Sequence, residues 1–110
     1  MMTSKYFELM PLPEQHQKSF YGKAYVEQWF KDKELLSETL YSFGEPIIRK
    51  YPNGKLERLW DGWSQTTQKH IFAFCMIRKQ EYLDLYMPYR HSDMTSQQSY
   101  QAMMARRLNK

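Results

Sequence analysis

A single cysteine, Cys75, in a chain of 110 residues excludes an intramolecular disulfide and any zinc cage built from several thiolates. It also suits a reducing compartment. Long apolar runs are missing. The longest, Ile71 to Ile77, is seven residues, against the roughly 20 that a membrane helix needs. The opening Met-Met-Thr-Ser-Lys-Tyr has no apolar stretch of the kind a signal peptide carries. A cytoplasmic protein without a membrane partner is the expectation. Branched aliphatics are scarce too, with one valine and four isoleucines, and Leu, Ile, Val and Phe together number only 21. That is near the composition of disordered chains. Excess charge is lacking as well: sixteen basic and twelve acidic residues leave +4, too little to hold the chain open by self-repulsion. Nine tyrosines, eight methionines and three tryptophans supply the missing bulk, so the sequence predicts one ordered domain with an aromatic, Met-rich core.

Residues 1–17 contain Pro11, Pro13 and a polar run from Glu14, and read as an N-terminal arm laid over a core domain of residues 18–91. Between Phe20 and Phe30 the pattern alternates. Tyr21, Lys23, Tyr25 and Trp29 fall on one side and Phe20, Ala24, Val26 and Phe30 on the other, the period of a strand. Further strands are predicted from Leu35 to Phe43, Ile47 to Tyr51 and Lys55 to Trp60. Pro52-Asn53-Gly54 marks the last hairpin. A two-residue loop there would set Arg49 against Arg58, a like-charge pair. A three-residue loop with Gly54 in the left-handed region sets Arg49 against Glu57 and is preferred.

After Trp63 the period becomes helical. Ser64 is a suitable cap, Ile71, Phe74 and Cys75 share a stripe, and Arg78 and Lys79 favour a helix C-terminus, so a helix is predicted over about 64–79. A second helix, Thr95 to Leu108 within a C-terminal extension of residues 92–110, carries the narrow stripe Tyr100, Met103, Met104 and Leu108. Such a stripe must dock on the domain or on a second copy. The fold expected is α+β: a four-stranded antiparallel meander packed by one helix, plus the C-terminal helix.

Constellations for chemistry are absent from the pattern. His70 and Cys75 lie five positions apart, about 140° around a helix, and do not face each other. His16, His70 and His91 have no ligand partner at metal spacing, and Asp61 beside Gly62 has no second carboxylate for acid–base work. No cofactor, no metal and no catalysis are expected. Tyr21, Lys23, Tyr25 and Trp29 form the set most suggestive of binding, since aromatics interleaved with lysine on a sheet stack bases while the ammonium meets phosphate. Their competing and preferred role is as the buried face under the helix. Arg49, Lys50, Lys55 and Arg58 gather about the last hairpin, either for phosphate or as a charged edge against aggregation. Tyr100, Met103 and Arg107 would serve docking of the last helix.

The segment Phe20-Tyr-Gly-Lys-Ala24, the Leu/Tyr-rich second strand, the Asn-Gly hairpin and Trp63-Ser-Gln-Thr-Thr-Gln-Lys-His-Ile-Phe-Ala-Phe74 follow one another in an order that can be placed. Over residues 18–80 the chain resembles a family of short uncharacterised domains encoded by bacterial phages, plasmids and other mobile elements. The motif that carries the likeness most clearly is S-x-T-T-x-x-H-x-x-x-F at Ser64, Thr66, Thr67, His70 and Phe74. The resemblance implies a small accessory protein and assigns no functional residues. A non-enzymatic protein that binds an unknown protein partner is therefore expected, inhibition of a host defence nucleoprotein being one form. The alternative is a small nucleic-acid-binding domain. A homodimer fits either.

Overall fold

The computed structural model describes residues 1–88. Five strands form one antiparallel sheet in chain order: β1 (Met2–Glu8), β2 (Ala24–Lys31), β3 (Glu34–Ser42), β4 (Glu45–Lys50) and β5 (Leu56–Arg58). Two helices follow, α1 (Gln65–Cys75) and α2 (Lys79–Leu83). The architecture is α+β as expected, but the sheet has five strands where four were predicted. The extra one is made by residues assigned to the N-terminal arm. All seven residues of β1 are exposed, so no buried stripe advertised it. The predicted Tyr100, Met103 and Arg107 helix lies outside the described residues.

The helices cover one face of the sheet. Ala24 and Val26 on β2, Leu40 on β3 and Ile48 on β4 meet Ile71 and Phe74 of α1, with Phe20, Ile47 and Tyr82 sealing the margins. These aliphatic side chains give α1 a flat seat. The preference for Tyr21, Lys23, Tyr25 and Trp29 as the buried face is therefore overturned: Tyr21 is 74% exposed and Tyr25 40%. Because the side-chain period of a strand is two, seating Ala24 and Val26 under the helix sends Tyr25 and Trp29 to the other side.

Pro52-Asn53-Gly54 forms the three-residue loop. Tyr51 N–H donates to Lys55 O at 2.9 Å and Gly54 N–H to Tyr51 O at 2.9 Å. Gly54 has φ 91°, and Arg49 pairs with Glu57. Ser64 caps α1 by accepting from Thr67 N–H at 3.1 Å. The helix is shorter than predicted. Met76 turns left-handed (φ 60°) and its N–H donates to Phe72 O, so the chain leaves α1 at Cys75. Arg78 and Lys79 thus stand at the start of α2, where the Arg78 backbone N–H donates to Glu81 Oε1 at 3.0 Å. Among the described residues no helix is long and apolar enough to cross a membrane.

Candidate functional site

Strand alternation divides the sequence-predicted residues among separate places. Arg49 faces the open side of the sheet and sits 3.8 Å from Glu57. Lys50 faces the helix side, 3.7 Å from Glu38, with Nζ 4.8 Å from the centre of the Phe74 ring. Lys55 reaches Glu57 at 3.8 Å. Arg58 is buried. Its Nε donates to Trp60 O at 2.9 Å, its other nitrogens reach Gly62 O and Leu83 O at 3.4 Å, and its guanidinium stacks 4.7 Å from the Tyr82 ring. The four cations of the last hairpin are engaged within the chain and do not share a face. Tyr100, Met103 and Arg107 fall outside the described residues.

On the open face Tyr25 and Trp29 flank Glu27, which is buried and accepts from Tyr41 Oη at 2.8 Å. Tyr6 lies beside Tyr41, ring centres 6.4 Å apart. Tyr51 Oη donates to Glu57 Oε1 at 2.7 Å. This side is a tyrosine-rich surface with Glu27 and Glu57 set into it, which opposes a phosphate backbone.

Tyr21 and Lys23 belong elsewhere. They line a pocket of about 260 Å³ at the end of the sheet, together with Gln17, Phe20, Phe43, Thr66, Lys69 and His70. His70 forms its inner wall. Its Nδ1 lies 2.7 Å from Ser42 Oγ, which is 3.1 Å from Thr67 Oγ1, so α1 and β3 are joined by a three-residue polar chain. The Phe20 ring meets the imidazole edge-on at 4.5 Å and Phe43 lies at 5.7 Å. Burial in this apolar setting, with Lys69 adding a smaller repulsion, lowers the His70 pKa to about 4. The ring is neutral at pH 7. Burial also pushes the Cys75 thiol up to about 11, so it is not a nucleophile at neutral pH. Among the described residues no group of three His, Cys, Asp or Glu could hold a metal ion.

Sequence reasoning missed the β1 edge. Leu9 N–H donates to Ala24 O at 3.0 Å and Asp32 N–H to Met1 O at 3.2 Å. Hydrogen-bonded pairs alternate along an antiparallel ladder, so odd-numbered residues of β1 bond inward. Met2, Ser4 and Glu8 therefore point their peptide N–H and C=O groups away from the sheet. Among the described residues no strand pairs with that row. Met2, Tyr6, Phe7 and Met10 are large apolar side chains exposed along it. The signal in the sequence was modest: Thr3, Tyr6 and Phe7 favour strands, and no Gly or Pro occurs before Pro11.

A family model, described as a family of unknown function (DUF8033), matches residues 7–86. The chain belongs to that family. The match covers β2 to α2 and every residue of the His70 pocket, but begins within β1. No solved structure matches.

Proposed function

We propose that this DUF8033 member is a non-enzymatic accessory protein that binds another protein by accepting a strand of it along β1. The observation that carries the reading is the row of outward peptide groups at Met2, Ser4 and Glu8, with which no strand among the described residues pairs, bordered by exposed apolar side chains. Backbone bonds would give affinity, and alternate side chains specificity, as in other strand-addition complexes. An unprotected apolar edge is a liability unless it is used. The likeness of Phe20–Ala24 and Trp63–Phe74 to domains of mobile elements supports a phage or plasmid origin, and a host protein as partner. Inhibition of a host defence nucleoprotein is one form this would take.

Nucleic-acid binding is the weaker reading, because Arg49, Lys50 and Arg58 are already engaged and lie on two faces. It would show itself as a steep fall of affinity with salt.

Ser4→Pro tests the proposal. The Ser4 N–H points outward, so proline removes no bond to β2 yet blocks an added strand. In a nuclease-treated bacterial lysate the wild-type chain should retain a specific partner that the equally stable variant loses. Equal capture by both chains, or capture that disappears with nuclease, would overturn it.

A further inference from the structure

Two turns at the same end of the sheet break the same rule. In Phe20-Tyr21-Gly22-Lys23 the central residues have φ 54° and 74°, and Lys23 N–H closes the turn on Phe20 O at 3.0 Å. In Ser42-Phe43-Gly44-Glu45, which joins β3 to β4, they have φ 53° and 82°. Both have the double left-handed form of a type I′ turn, whose first central position favours Asn, Asp or Gly. Bulky aromatics are outliers there. Tyr21 and Phe43 nevertheless occupy those positions, and both rings stand out in solvent, Phe43 at 54% exposure. Backbone strain of this kind persists where the surrounding structure enforces it, and gathers at binding sites. Here both strained residues line the pocket that ends on His70.

The lining shows what would fit. Phe20, Tyr21 and Phe43 offer ring faces, and Lys23 and Lys69 are the charged residues, with no carboxylate among the lining groups. The carboxylate near the turn, Glu8, accepts from Gly22 N–H at 3.3 Å. The Lys23 ammonium lies 5.5 Å from the centre of the Phe43 ring, held at the mouth by the ring face. His70 spends Nδ1 on Ser42, which leaves Nε2 as the ring's remaining polar atom. About 260 Å³ is less than a drug-sized ligand occupies, and suits a single ring with one acidic group.

We propose that this pocket binds a small planar aromatic anion, its ring against Phe20, Tyr21 and Phe43 and its acidic group met by Lys23 and Lys69. An aryl carboxylate and an aryl phosphate share that chemistry. The site uses none of the outward peptide groups of β1, so it stands apart from the strand-addition reading.

The test is an NMR titration of the full chain with 4-hydroxybenzoate and, separately, phenyl phosphate, read at the His70 ring and the Gly44 amide. Cyclohexanecarboxylate, which lacks a flat ring, and 4-methylphenol, which lacks the charge, serve as controls. At least one aromatic anion should give a saturable shift, and both controls should bind at least about tenfold more weakly. Which anion binds tells the two sources apart. Lys23→Gln and Lys69→Gln should each weaken binding about tenfold, the loss expected for one charge-assisted contact. Phe43→Asn restores the residue the turn prefers, so it should melt higher than wild type while binding at least about tenfold less. Phe43→Tyr keeps a ring in place and should bind as wild type. No saturable shift with either anion, controls that bind equally, or undiminished binding by Phe43→Asn would overturn the proposal. So would loss of binding in Phe43→Tyr.

Discussion

The two edges of the sheet receive opposite treatment. At β5 the Arg58 N–H donates to Tyr86 O at 2.9 Å, the Arg58 side chain ties the strand to Trp60, Gly62 and Leu83, and Tyr82 packs beneath with Oη donating to Trp60 O at 2.7 Å. That edge is closed by the chain that follows it. At β1 every residue is exposed, and among the described residues no strand lies beyond it. A sheet with two unguarded edges invites uncontrolled association, whereas one closed edge leaves a single direction for growth. The difference teaches where stability resides and where it is spared for contact.

The largest test breaks the closed edge. Arg58→Ala takes the guanidinium donor from the Leu83 and Gly62 carbonyls, leaves Trp60 O with Tyr82 Oη alone and removes the stack on Tyr82, and should cost about 3–5 kcal/mol in urea unfolding. A loss below about 1 kcal/mol would show that the α2 segment covers β5 without this staple.

A second test acts on neither edge. His70 titrates at about 4 in the folded chain against 6.5 as its ordinary value, so the unfolded chain binds the proton more readily. Its contribution is whole above pH 6.5 and disappears as pH falls toward 4. The loss should reach about 3 kcal/mol, and His70→Gln should flatten that part of the stability curve. Because the residue sits between α1 and β3, acid should lower protection of both edges together.

Tyr82→Phe, which removes one hydrogen bond at the closed edge, should cost about 1–2 kcal/mol by thermal unfolding. Ser4→Pro on the open edge should cost least, under about 0.5 kcal/mol by the same measurement, since the lost N–H bonds to nothing in the sheet. A large loss there would mean that β1 is part of the core after all.

The same contrast explains what could be read from the sequence. β2 to β5 were legible because each has one face against the helices, and burial of one face writes a period of two into the residues. β1 has no buried face and so wrote no period. Pro52-Asn53-Gly54 was legible down to its register because Arg49 and Arg58 would have clashed in the alternative. The end of α1 was not, because Met76 takes the left-handed position that glycine usually marks. The two aromatic turns escaped notice for a similar reason: the rule for tight hairpins looks for Asn or Asp before Gly, and here Tyr21 and Phe43 stand there. The face of Tyr25 and Trp29 was misassigned by an argument from supply. The core was expected to need those rings, but Phe20, Tyr82 and the His70 imidazole fill it instead.

Chain order in the sheet has a kinetic consequence. β2, β3, β4 and β5 are joined by short turns, so each pairing closes a small loop and the four can zip up one hairpin after another. β1 differs, because residues 9–23 separate it from β2. Its docking closes a larger loop and rewards the chain with little buried surface. In refolding it should be the last strand to acquire hydrogen-exchange protection and in native exchange the first to lose it. A strand that leaves so readily, on so long a tether, can also dock against β2 of a neighbouring molecule, and concentrated solutions should therefore contain strand-exchanged dimers that dissociate only as fast as β1 peels away.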